Sequence, residues 1–218
     1  MSRIYIGETP ISSVMIGGKR YVARSNNSEI PAKYQRLEYV ESTGTQYIDT
    51  GISGGTNAEY EIKFNPLTLF KKYETYFGGD KTPPVPKIIY ENGIEMQTVI
   101  GDHSVQLKGV FPMNTAGVIK YTSDATADCN GTTFSSTRWV AGAGWGNLSV
   151  YVARSNEETN LYATMRLYYL KMWTNGELVR DFIPVKNKTT SIVGLWDTVS
   201  RTFFTDGNGG NFLGGDQV

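Results

Sequence analysis

Three stretches of this 218-residue chain carry residue types that can do chemistry. In Glu59-Tyr60-Glu61 two carboxylates stand two residues apart within an alternating run that continues through Ile62 and Phe64. As a strand, that run puts both acids on one face about 7 Å apart, near the spacing of the carboxyl pair that cleaves glycosidic bonds. Solvent-facing Glu alternating with buried Tyr60 and Ile62 accounts for the same run without catalysis. Asp206-Gly207-Asn208-Gly209-Gly210-Asn211 has the oxygen-rich composition of a calcium loop, but Asn211 stands where an EF-hand requires Gly and no Glu fills the twelfth place. It reads as a glycine-rich turn. In Arg138-Trp139-Val140-Ala141-Gly142-Ala143-Gly144-Trp145-Gly146-Asn147, two Trp bracket a Gly-rich stretch. An indole standing out of such a loop can stack on the apolar face of a sugar ring, with Arg138 and Asn147 orienting the ring by hydrogen bonds. The competing reading has Trp139 and Trp145 plugging the end of a sandwich.

Other chemistry lacks material. The single Cys129 cannot form an intrachain disulfide, and its neighbours Asp128 and Asn130 place it in a polar turn as an incidental thiol. The single His103, in Gly101-Asp102-His103-Ser104, also reads as a turn. Neither a conventional zinc cluster nor a Ser-His-Asp triad is supported, and no metal or cofactor is expected. Lys plus Arg and Asp plus Glu balance at 21 each, so no global field draws the chain to nucleic acid or to an anionic membrane. The opening residues contain no signal-peptide run and no later stretch is apolar enough to span a membrane, so a cytoplasmic origin without membrane insertion is expected.

The elements that must position these residues are strands. With 24 Gly and 8 Pro the chain is rich in turns, and its 14 Tyr, 9 Phe and 4 Trp supply side chains large enough to fill a core. Residues 1–24 read as three short strands: Ile4, Tyr5 and Ile6 in the first, Val14 and Ile16 in the second, Tyr21 in the third. A unit this small holds no core of its own and should dock elsewhere, as an anchoring or oligomerisation segment. Residues 25–33 form a polar linker ending near Pro31. From residue 34 to 218, about a dozen short strands follow at spacings near ten residues. Leu161 to Trp173 also fits a helical stripe, but Asn175-Gly176 after it marks a type I′ hairpin, so a strand is expected there. Strands without intervening helices imply an antiparallel sandwich or barrel. Tyr21 to Asn26 returns identically as Tyr151 to Asn156, a six-residue identity too short to define a repeat.

The segments Tyr34 to Gly51, Leu148 to Asn156, Leu167 to Pro184 and Val193 to Phe204 resemble concanavalin A-like (laminin-G-like) jelly-roll domains, a family frequent in phage tail and capsid-associated proteins. The N-terminal strands resemble a leader found ahead of several phage virion proteins. The resemblance implies an all-β, two-sheet jelly-roll sandwich, carbohydrate or surface recognition, and a virion setting. The family also includes glycosidases, but Glu59-Tyr60-Glu61 lacks their E-x-D-x-E pattern. Within the familiar segments Trp173 and Trp196 read as core, and Arg180 and Asp181 as cross-strand partners. The expected function is non-enzymatic adhesion to host or environmental glycans from a particle surface. Residues 1–24 would hold other virion proteins or further copies of the chain. The rival is a purely structural decoration or tail component, with a glycosidase third.

Overall fold

A computed structural model describes the backbone of residues 5–6, 9–10, 13–16, 19–22, 30–53, 58–67, 75–79, 87–91, 95–100, 103–106, 114–122, 126–135, 147–153 and 161–218, and the side chains of most of these from residue 30 onward. The chain divides into two compact units, Met1–Pro31 and Ala32–Val218. In the first, Tyr5–Ile6 pairs with Thr9–Pro10, and Ser13–Ile16 pairs with Lys19–Val22, setting Val14 opposite Tyr21 and Ile16 opposite Lys19. Three strands in one meander were expected. Four strands in two hairpins are found, because Thr9–Pro10 pairs despite its proline, which a two-residue edge tolerates. Ile4 lies outside the described residues.

The second unit is a two-sheet β-sandwich, antiparallel except where Tyr162 pairs with Thr75, with no helix among the described residues. The larger sheet runs Thr132–Ser135, Thr126–Cys129, Gly117–Tyr121, Ala58–Pro66, Met165–Thr174, Glu177–Asn187, Val193–Asp197, Thr202–Phe204. Tyr34–Arg36 joins it beside Glu177–Asn187, and Val40–Glu41 lies between Met165–Thr174 and Leu213–Gly214. The smaller sheet runs His103–Gln106, Glu95–Ile100, Lys87–Glu91, Thr75–Gly78, Asn147–Val150, Ile48–Ser53, with Val152–Ala153 and Leu161–Tyr162 appended.

Alternation builds the core. In Ala58–Pro66, Tyr60, Ile62 and Phe64 are fully buried while Glu59, Glu61 and Lys63 face outward. The inward rings meet the other sheet, Tyr60 on Phe77 at 4.6 Å and Phe64 on Tyr76 at 5.5 Å. Each such side chain contributes about 1.5–3 kcal/mol of burial, and together they clamp the two sheets. Outside, the register aligns Lys120, Glu61, Lys171 and Asp181 across four neighbouring strands, a row of alternating charge. That row keeps the exposed face solvated.

Three local expectations change. Leu161 to Trp173 is two strands, Leu161–Tyr162 in the smaller sheet and Met165–Thr174 in the larger, with Ala163 and Thr164 crossing between them. A β-bulge between Leu167 and Tyr169 inserts Tyr168, so Tyr168 and Tyr169 are both half-exposed instead of alternating. Cys129 is the last residue of a strand, not part of a turn, and its thiol is fully buried. Burial first, and then the charge of Asp128, push that thiol up to about 12. The turn itself is Asn130-Gly131, at φ 52° and 85°, the same left-handed pair that Asn175-Gly176 adopts at 52° and 74°.

Candidate functional site

The loop that the two Trp mark does not supply a described site. Arg138, Trp139 and Trp145 lie outside the described residues. Asn147 is placed only by its backbone, opposite Ser53 at the start of Asn147–Val150. Three other segments come together at one rim of the sandwich: Ser42–Tyr47, Tyr162–Thr164 and Asp206–Phe212.

The rim is organised by two side chains that satisfy turn backbone. Gln46 folds back over its own loop: its Oε1 accepts from the Thr43 N–H at 2.9 Å and from the Ser42 hydroxyl at 3.2 Å, while its Nε2 donates to the Asn211 carbonyl at 3.1 Å. Asp206, only 7% exposed, accepts at Oδ1 from the N–H groups of Tyr47 (2.9 Å) and Asn208 (3.1 Å) and at Oδ2 from the Gly210 N–H (2.7 Å). Gly207 donates in return to the Tyr47 carbonyl at 2.9 Å. The carboxylate that a calcium loop would offer is therefore turned onto three backbone donors, as the glycine-rich reading of this segment has it.

On this frame sits an exposed constellation. The half-buried rings of Tyr47 and Tyr162 lie 6.5 Å apart at 43°. Tyr47 rests on Gly207 so closely that a Cβ there would stand 2.3 Å from its Cζ and 2.6 Å from its hydroxyl. The exposed Asn208 donates through Nδ2 to the Thr45 carbonyl and to the Tyr162 hydroxyl, both at 2.8 Å. A carbonyl can only accept, so the amide's orientation is fixed and its Oδ1 is turned away as an acceptor. Tyr162, already accepting, keeps its own O–H to donate. The two rings beside one fixed acceptor and one donor give this rim a mixed aromatic and polar character.

Of the two carboxylates considered for catalysis, Glu61 is engaged with its neighbours on the sheet face. Glu61 accepts from the Tyr169 hydroxyl at 2.9 Å and faces Lys120 on one neighbouring strand and Lys171 on the other. Burial first, and then this hydrogen bond, push the Tyr169 phenol up to about 12. Arg180 and Asp181 pair across strands: Arg180 donates from Nε to the Thr50 carbonyl of the other sheet at 2.9 Å and stands 3.6 Å from Asp197, and Asp181 accepts from the Thr198 hydroxyl at 3.2 Å. Asp197, 0% exposed, accepts from the N–H groups of Asp181, Val199 and Ser200 and from the Ser200 hydroxyl. That network is architecture. Trp196, 6% exposed, packs on Tyr34 at 5.1 Å, whereas Trp173 is half-exposed opposite Glu59. Among the described residues no group of three or more His, Cys, Asp or Glu is placed to hold a metal.

The partnership of segments 42–47 and 206–212 bridges 159 residues at Tyr47 and Asp206, and nothing local announces it. What stands defined is an all-β, two-sheet antiparallel sandwich with a polar and aromatic rim. No family model matches the chain, and no curated protein matches it either. Among solved structures it is similar to a mutant of Trypanosoma rangeli sialidase displaying trans-sialidase activity, at 10% identity and a TM-score of 0.42, over 56% of this chain and 21% of that one. The chain thus spans about a fifth of that protein's length, and a likeness at this level carries no argument about the rim.

Proposed function

We propose that this is a non-enzymatic phage virion protein whose sandwich adheres to host or environmental glycans, with residues 1–24 binding other virion proteins or further copies of the chain. The observation that carries the adhesive reading is the Tyr47–Tyr162 pair beside Asn208, whose amide is oriented by bonds to Thr45 and Tyr162. A sugar offers an apolar ring face and vicinal hydroxyls, and the rim offers a partner to each. Single sites of this kind bind weakly, and display in many copies on a particle multiplies them. The virion setting rests on the sequence resemblance and on the two small N-terminal hairpins, each too short to be stable alone.

The test is a glycan array and a whole-cell binding assay with the full chain and its Tyr47→Ala variant. Concentration-dependent binding that Tyr47→Ala lowers at least about tenfold, the equivalent of 1.4 kcal/mol, is the expected result. Binding to assembled particles alone, with no glycan or cell binding, would replace adhesion by the purely structural role.

A further inference from the structure

We infer that the outer face of the larger sheet binds a second copy of this chain, the two faces meeting about a two-fold axis that runs along the strands. Four outward residues carry this, one on each of four neighbouring strands: Lys120 lies opposite Glu61, Glu61 opposite Lys171, and Lys171 opposite Asp181. Lys120 is exposed and the other three are half-exposed, while the residues beside them in the chain, among them Ile119, Ile62, Leu170 and Phe182, are buried in the core. Glu61 accepts from the Tyr169 hydroxyl and Asp181 from the Thr198 hydroxyl, and a carboxylate has room for further donors.

The row that keeps this face solvated in one copy is also its own complement. Read across the strands it runs plus, minus, plus, minus, and a two-fold axis along the strands reverses that order in the facing copy. With the axis between Ala58–Pro66 and Met165–Thr174, Glu61 meets Lys171 of the second copy and Lys120 meets its Asp181, each contact occurring twice. An axis across the strands, or one lying on Glu61 itself, sets like charges together, and a shift by one whole strand leaves part of the row facing no opposite charge. The next outward row selects the same axis. Lys63 lies opposite Val118 on one side and Tyr169 on the other, and Ile183 follows Asp181 on the same face. Lys63, whose ammonium already stands 5.2 Å from the Tyr168 ring centre, then meets the neighbouring Tyr169 of the second copy, and Val118 meets its Ile183. An axis along the strands does not exchange their ends, so both copies of the rim emerge at the same end of the pair. Exposed ion pairs are individually weak and screened by salt, so this dimer forms at micromolar concentrations and loosens as salt is added.

The experiment is sedimentation velocity on the full chain from about 1 to 200 µM in about 50 and 500 mM sodium chloride. Glu61→Lys and Lys171→Glu are run singly and as a mixture. The expected result is a concentration-dependent dimer that high salt weakens about tenfold and each single variant weakens at least about tenfold. Mixing the two variants restores it, because every facing pair is again opposite in sign. Lys120→Glu and Asp181→Lys repeat the test without touching the acceptor of the Tyr169 hydroxyl, and circular dichroism checks that each variant is folded. A monomer throughout, a dimer that the single reversals leave intact, or folded variants that mixing does not restore would each overturn the inference. The second of these would pass self-association to another surface, and none of the three bears on adhesion.

Discussion

Gly207 is the residue on which the rim depends most directly. A methyl group there would overlap the Tyr47 ring at 2.3 Å, and the ring would have to leave its seat. On the proposed glycan-binding reading, Gly207→Ala should therefore abolish sugar-dependent quenching of tyrosine fluorescence while lowering the melting temperature by only a few degrees, since the overlap lies at an exposed edge. Buried groups make a different forecast. Arg180 stands 3.6 Å from Asp197, which keeps its bonds from Asp181, Val199 and Ser200 when the cation is removed, so Arg180→Ala should cost about 1–2 kcal/mol in urea denaturation, the worth of its bond to the Thr50 carbonyl and a partly screened ion pair. Cys129 holds its proton to about 12 when folded, against an ordinary 9.0. Above pH 9 the unfolded chain releases that proton first, so the folded state binds more protons and stability falls as pH rises. Just above pH 9 the thiol is the largest single contributor, because unfolded Tyr151 and Tyr169 ionise chiefly toward their ordinary 10.0. Cys129→Ala should therefore reduce, without abolishing, the fall in unfolding free energy measured between pH 9 and 10. This role was not legible beforehand, because polar neighbours at Asp128 and Asn130 hid an inward-facing strand position.

At the level of elements, the two Asn-Gly hairpins offer a controlled comparison. Gly131 and Gly176 have φ of 85° and 74°, and a Cβ at either meets nothing within 4 Å. The penalty for alanine is then purely conformational, and Gly131→Ala and Gly176→Ala should each cost about 1 kcal/mol, equal within error in thermal unfolding. The second turn was legible because apolar runs flank it on both sides. The first was not, since Thr126–Cys129 and Thr132–Ser135 are short and largely polar, and the hydrophobic pattern that frames a hairpin was missing. Alternation in Ala58–Pro66 was readable for the opposite reason: Tyr60, Ile62 and Phe64 are large and strictly spaced. The bulge at Tyr168 could not be read, because an inserted residue leaves no mark in composition.

At the level of the whole molecule, the closing strand matters most. Leu213 and Gly214 pair with Glu41 and Val40, Glu38 donates to the Asp216 carbonyl, and Gly215 donates to that of Tyr39. Two glycines are required, since a Cβ at Gly214 would stand 2.7 Å from Leu37 and one at Gly215 the same distance from Tyr39. Ending the chain after Phe212 should expose Leu37 and Val40 and lower the denaturation midpoint while leaving the antiparallel dichroism signature. That the chain makes a sandwich was legible from strand count and turn spacing. Which strands adjoin was not, because pairings such as Val40 with Gly214 are decided by the packing of the finished core and leave no local trace.

The long span between Tyr47 and Asp206 also sets when the rim can exist. While the chain is being made, the first half of the site leaves the ribosome with nothing to close against. Only after Asp206 and the glycines behind it have emerged can the Tyr47 ring find its seat. A nascent chain therefore lacks this rim, and a product that stops anywhere before Asp206 cannot seat the Tyr47 ring however well its central strands pair.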